Sequence, residues 1–162
     1  MTEHCSRQDV GLLDFYKEEG VRNRTFGIGW QTRIDHLKEF LVGSSFLDVG
    51  CAEGLHLQLV HEERRIEYAV GVDISSPKLA RALKNARFSH NYLPNFVNDS
   101  WDFLPFKNEI FDTVIWFDGP EHCVHPIESL KEIARVTRQN FIISIPTSLP
   151  LLLTIEHLQT TV

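Results

Sequence analysis

The sequence predicts an α/β fold, a doubly wound parallel sheet covered by helices on both faces. Three observations carry this. From about Phe46 onward, short strand-like apolar runs alternate with helix-like runs, the order that builds a parallel sheet. Phe111–Phe117 and Phe141–Ile145 are apolar without alternation, as strands buried on both faces are. The early strand-like runs end on Gly50, Asp73 and Asp99, and a helix or turn signal follows each.

The elements follow in order. Gly20 to Trp30, rich in glycine and arginine, reads as a loop. Gln31 to Leu41 carries Ile34, Leu37 and Leu41 at helical spacing. Ser45–Val49 is a short apolar strand stopped by Gly50, and Leu55 to about Glu63 is the helix after it. Tyr68–Val72 is a β-prone strand ending on Asp73. Ser76 then offers a cap with Pro77 in the first helical turn, and Leu79, Leu83 and Ala86 form an apolar stripe. Asn95–Asn98 is a short third strand. Phe111–Phe117 is a fourth, closed by Asp118-Gly119-Pro120. Pro126 opens a helix with Ile127, Leu130, Ile133 and Ala134 on one face, and Phe141–Ile145 is a fifth strand halted by Pro146. Leu149–Ile155 has the apolarity of one further strand or helix.

The chain has 162 residues, which suits a single domain with a real core. Within it, residues 1–44 read as a helix and loop cap, 45–147 as a ligand-binding core and 148–162 as a segment along the sheet edge. The formal net charge is −6 and no basic tract is present, so nucleic acid is not an expected partner. The cysteines Cys5, Cys51 and Cys123 are odd in number and lack framework spacing, which points to free thiols in a reducing compartment. The polar start, Met1 to Asp9, does not look like a secretory signal, and no run approaches the roughly 20 apolar residues of a membrane span. A cytoplasmic location is the expectation.

Candidate ligand residues gather where strands end: Asp48 and Gly50 to Gly54, then Asp73, then Asp99, then Asp118. In an open α/β sheet that edge is where ligands bind. Small residues at Gly50, Ala52 and Gly54 let the backbone approach a ligand, and the helix start behind them offers N–H groups to a carboxylate. Asp73, about 20 residues on, can accept hydrogen bonds from two ribose hydroxyls; because Ser75 or Ser76 can cap the next helix, it stays available. Asp99 and Ser100 can face an adenine amino group and ring nitrogen, or form an Asx-type turn.

In this order and spacing, Asp48 to Gly54, Val70-Gly71-Val72-Asp73-Ile74-Ser75, Asn98-Asp99, Leu104-Pro105-Phe106, Phe111 to Ile115, Glu121-His122 and Leu130 to Val136 resemble the class I S-adenosylmethionine-dependent methyltransferase core. The likeness is greatest to the branch that includes ubiquinone-biosynthesis and similar small-molecule enzymes, and it covers roughly residues 45 to 147. It implies S-adenosylmethionine as cofactor, a small-molecule acceptor, and a Rossmann-like sheet in the order 3-2-1-4-5. It also implies that Gly50, Ala52 and Gly54 line the methionine moiety and that Asp73 holds the ribose. Asp99 would face the adenine, Ser100 and Ile74 would also bind the cofactor, and Phe117 and Asp118 would close one side. Asp48 and Cys51 belong to the same turn, Cys51 more for packing than as a nucleophile. Ala52 stands where the family usually has glycine. Only 17 residues follow Ile145, too few for the family's usual sixth and seventh strands and their helix.

Two other readings compete. A nicotinamide-binding domain needs Gly-x-Gly-x-x-Gly, but here the last position is Leu55. A non-catalytic binding protein is suggested by the short C-terminal region and by Leu149-Pro150-Leu151-Leu152-Leu153, either an interface for a second copy of the chain or a cover for the sheet's own edge. His122, Cys123 and His125 do not easily aim three ligands at one metal centre, so no metal is expected. His122 is the candidate general base, with Glu121 to orient it, or else it caps the Pro126 helix. Trp101 and Trp116 are core or pocket wall, and Trp30 is a lid over the cofactor.

Overall fold

A computed structural model describes residues 28–61, 66–85, 94–145 and 151–156, with side chains beyond description at 28–31, 85 and 151–156. The elements are α1 (Ile28–Phe40), β1 (Ser45–Val49), α2 (Leu55–His61), β2 (Tyr68–Val72), α3 (Ser76–Asn85), β3 (Asn95–Val97), β4 (Phe111–Phe117), a 3-10 turn (Pro120–His122), α4 (Pro126–Val136), β5 (Thr137–Ile145) and β6 (Leu151–Glu156). The chain divides into two compact units, Met1–Asp35 and His36–Val162. The second unit holds the sheet.

Its strands lie in the order β3-β2-β1-β4-β5-β6. The first five are parallel, as the sequence predicts, and β6 runs antiparallel to β5, with Ile145 opposite Leu151 and Asn140 opposite Glu156. The residues expected to cover the edge beside the fifth strand therefore do so as one strand. Leaving β1, the chain winds toward β3 in one direction and through β4 and β5 in the other. The crevice between the C-terminal ends of β1 and β4 is thus the switch point of the sheet.

Helices cover both faces. On one, Leu37, Leu41, Leu57, Val60 and Leu79 pack with Phe46, Ala69, Ile115 and Ile142. On the other, Ile133 and Val136 of α4 pack with Leu47, Val70, Val114, Trp116 and Phe141. Burial on both faces is why β4 reads as an unbroken apolar run and why every residue in it is buried.

Several boundaries and faces differ from expectation. The first helix starts at Ile28, inside the stretch read as a loop, so Trp30 lies on a helix rather than in a lid loop. Of the expected stripe, Leu79 is buried and Leu83 is exposed; Ala82 takes the other buried place on α3. Here α3 docks on the turn after β1, with Ala82 Cβ 3.5 Å from where a Cβ at Gly54 would stand. Ala86 of the expected stripe lies outside the described residues. On α4 the buried face is Ser129, Ile133 and Val136, and Ile127 is exposed near the helix start. The fifth strand begins at Thr137, directly at the end of α4, because polar residues 138–140 find long-range partners.

Candidate cofactor and active site

The turn after β1 is built for close backbone approach. Gly50 and Gly54 have φ of 75° and 76°, and Ala52 between them has φ of 49°. Glycine takes such values freely, while alanine does so at a cost of roughly 1–2 kcal/mol. Hydrogen bonding offsets that cost. The N–H groups of Gly50 and Cys51 both donate to the Val72 carbonyl, at 2.7 and 3.0 Å, and Ala52 N–H donates to Asp73 Oδ2 at 2.9 Å. The turn is thereby tied to the end of β2.

Asp73 does more than the sequence suggested. Its Oδ1 also accepts from Ser75 N–H at 2.8 Å, so the carboxylate clamps the entrance of α3 as well as the glycine turn. The sequence predicts that Ser75 or Ser76 spares it that duty; the fold does not. Ser75 serves the helix through its carbonyl, which accepts from the N–H groups of Lys78 and Leu79. Each carboxylate oxygen has two lone-pair directions. Two backbone donors leave acceptor capacity for two hydroxyls. Ile74 beside it is exposed although apolar, a surface suited to a flat base.

β3 delivers Asn98, whose side-chain amide donates to the Asp73 carbonyl at 2.9 Å. Asp99 Oδ1 accepts from Ser100 N–H at 2.8 Å, a local side-chain-to-backbone bond. Ser100 Oγ in turn accepts from Asp102 N–H at 3.2 Å. Trp101 tilts against buried Trp116, with ring centroids 6.0 Å apart, and its indole lies 4.0 Å from where a Gly50 Cβ would stand. Trp101 is therefore wall over the turn, while Trp116 is core.

On the far side of the turn, Phe117 ends β4 and Asp118 takes φ of 52°, its N–H donating to Ser144 Oγ at 3.2 Å. Asp48 is buried, and its Oδ2 lies 3.2 Å from Nδ1 of His56, the second residue of α2. The His56 ring meets the Phe117 ring edge-on at 5.1 Å. Burial pushes the Asp48 carboxyl above the usual aspartate range, an effect that His56 opposes by charge and hydrogen bonding without cancelling it and to which the Asp73 charge adds. No signal in the sequence marked His56: it pairs with a residue on the other side of a strand–turn–helix junction.

Cys51 is a packing residue. It is buried, its Sγ lies 2.7 Å from where a Gly71 Cβ would stand, and burial pushes its thiol far above the usual range. His122 lies exposed on the 3-10 turn, with Nε2 3.9 Å from Glu121 Oε1. It does not cap α4, whose N-cap is His125 without a side-chain cap bond. Cys123 turns toward Ser129 Oγ, 2.9 Å away, and Ser129 Oγ donates to Asp102 Oδ1 at 2.5 Å.

A parallel doubly wound sheet with a small-residue turn at its switch point and an acidic residue ending the next strand defines a Rossmann-like nucleoside-cofactor domain. The chain belongs to the methyltransferase domain family, whose model matches residues 47–145, and so to the class I S-adenosylmethionine-dependent methyltransferases. S-adenosylmethionine is the cofactor of that class, which sets aside the nicotinamide reading of the same turn. Protein MJ1252 of Methanocaldococcus jannaschii, itself uncharacterised, is 33% identical over 140 residues, covering 83% of this chain and 50% of that protein. The chain thus spans about half the length of this curated relative. Among solved structures, a methyltransferase of Haloferax volcanii in complex with the Trm112 activator has a TM-score of 0.67 at 21% identity, over 82% of this chain and 59% of that one. Magnesium protoporphyrin IX methyltransferase of Synechocystis PCC 6803, with bound cofactor, has a TM-score of 0.64 at 19% identity, over 93% and 81%. At such identities these structures share the fold.

The site's own features fit the cofactor. The left-handed turn at Gly50 brings bare backbone to the site under the Trp101 ring, the carboxylate of Asp73 retains acceptor capacity, and exposed Ile74 stands beside it. No helix among the described residues is long and apolar enough to cross a membrane.

Proposed function

We propose that this chain binds S-adenosylmethionine at the C-terminal ends of β1 and β2 and catalyses methyl transfer to a small-molecule acceptor. The observation that carries the proposal is the clamp of Asp73 on both the glycine turn and α3, which presents one buried carboxylate beside an exposed apolar side chain. When bound, the cofactor supplies an electrophilic methyl group on a sulfonium centre, open to in-line displacement. Gly50, Ala52 and Gly54 receive its amino-acid part, with Asp48 and Cys51 shaping the turn beneath. Asp73 accepts from the ribose hydroxyls, Ile74 packs on the base, and Asp99 and Ser100 border it. Phe117 and Asp118 bound the side toward the acceptor.

Much of the rate then comes from orientation. For an oxygen or nitrogen acceptor, His122 at the same edge takes the proton, with Glu121 positioned to orient it. The small-molecule acceptor is supported by the acidic balance of −6 and the lack of a basic tract, which argue against a nucleic acid substrate. Leu151–Leu153 pair with β5 on one side, so a homo-oligomer through this segment would use the outer side of β6.

The test is calorimetric titration with S-adenosylmethionine, S-adenosylhomocysteine and NAD, followed by assay of S-adenosylhomocysteine release with a panel of hydroxyl and amine acceptors. We expect both adenosyl ligands to bind, NAD not to, and His122→Ala to lower turnover at least about tenfold without changing cofactor affinity. A protein that binds neither adenosyl ligand would sink the proposal.

A further inference from the structure

Two acidic side chains, Asp48 and Asp73, are buried next to the glycine turn, and they are held in different ways. Asp73 is gripped by backbone N–H groups of Ala52 and Ser75. Asp48 is gripped by a side chain, His56, at 3.2 Å. His56 belongs to α2, Asp48 to β1, and the ring on which His56 rests, Phe117, to β4. One imidazole therefore braces the three elements that enclose the end of the site opposite the Asp73 side.

We infer that His56 is a positioning residue for the cofactor's amino-acid end, acting by fixing the Asp48 carboxylate in place and in its charged form beneath the glycine turn. This rests on the reading of Gly50–Gly54 as the seat of that end. A carboxylate removed from water is costly to keep ionised unless a donor supports it. A histidine with its proton on Nδ1 is such a donor: burial raises the Asp48 pKa, and the hydrogen bond and charge of His56 work against that rise. A fixed negative charge in a dry surround attracts a nearby ammonium strongly, and the cofactor's amino-acid end carries one. Without His56, Asp48 takes up a proton or turns away, and the attraction goes with it.

The inference separates ligands by their parts. S-adenosylhomocysteine has the ammonium; 5′-methylthioadenosine has the same base and ribose but no amino-acid end. Titration of both ligands into wild type, His56→Leu, His56→Asn and His56→Gln, with thermal melts of each, tests it. His56→Leu is expected to weaken S-adenosylhomocysteine about tenfold, since a charge-assisted bond is lost, while 5′-methylthioadenosine stays within about twofold. His56→Asn keeps a donor near the Nδ1 position and should recover most of the affinity. His56→Gln, with its donor farther out, should behave like His56→Leu, and it carries the comparison if the leucine variant fails to fold.

Unchanged S-adenosylhomocysteine binding in His56→Leu and His56→Gln would overturn the inference. So would equal weakening of both ligands, which would mark a collapsed turn, or an asparagine variant no better than glutamine. Wild type that binds neither ligand would instead overturn the cofactor reading, and the inference with it.

Discussion

Asp73→Ala is expected to weaken S-adenosylmethionine and S-adenosylhomocysteine binding at least tenfold, about 1.4 kcal/mol or more. Bonds from hydroxyls to a charged acceptor contribute roughly 1.5–3 kcal/mol each when partly desolvated, and two are at stake. The variant should also lose stability. The N–H groups of Ala52 and Ser75 both donate to this carboxylate, and Ala52 already sits in a left-handed conformation that those bonds help to hold. The expected loss is on the order of 2 kcal/mol. Asp73→Asn keeps one acceptor oxygen and should be intermediate in both respects. Unlike the His56 variants, Asp73→Ala should weaken 5′-methylthioadenosine too, because the ribose is common to all three ligands. Calorimetry and thermal melts of the same samples separate affinity from stability. Wild-type affinity in Asp73→Ala would remove Asp73 from the site.

Why Asp73 looked freer in the sequence than it is in the fold shows where sequence reasoning stops. β1, β2 and β4 have the boundaries their apolar runs predicted, because a strand buried on both faces must be apolar along its length. The ends of those strands named the site for the same reason: apolarity stops where ligand or solvent begins. Periodicity, however, cannot say which side of a helix meets the sheet. Leu83 and Ile127 fit an apolar stripe, yet Ala82 and Ser129 hold the buried places, Ala82 against the glycine turn and Ser129 through its hydrogen bond to Asp102, and both neighbours come from elsewhere in the chain. The polar start of β5 was missed for a related reason. Arg138, Gln139 and Asn140 look like loop residues until Asp112 and the Phe40 carbonyl, distant in sequence, arrive as partners. His56 and Asp48 are only eight residues apart, but their meeting depends on the left-handed turn between them.

The largest effect on stability is expected at the opposite end of the sheet, at Asp112. Asp112 sits where the β4–β5 register shifts, between Phe111 and Thr113. Its Oδ2 accepts from the N–H groups of Ser44 and Ser45 and from Ser45 Oγ, at 2.9, 3.1 and 2.9 Å. Its Oδ1 accepts from Arg138 at 2.7 Å and Gln139 at 3.0 Å. One buried carboxylate thus joins the entry of β1 to the start of β5. Burial alone would raise its pKa; the hydrogen bonds from Ser44, Ser45, Gln139 and Arg138 outweigh burial and bring it down to about 2. An aspartate in the unfolded chain titrates near about 3.9. Because the folded value is the lower one, the carboxylate's stabilisation is present above about pH 4 and is lost as pH falls toward 2. Asp112→Ala should cost about 3 kcal/mol or more at neutral pH, since it strands the backbone donors at the head of β1. In a chain of this size that lowers the melting temperature by roughly 6–12 °C. Asp112→Asn keeps the shape and removes the charge. Its deficit against wild type should be full at neutral pH and shrink between pH 4 and pH 2, as the wild-type carboxylate itself becomes neutral. Cofactor affinity, measured at neutral pH on folded protein, should not change, because Asp112 lies at the N-terminal end of β4 and the site at its C-terminal end. Melting curves of wild type and both variants from pH 7 to pH 2 are the measurement. A deficit that stays constant across that range would show that Asp112 acts through its shape and not through its charge.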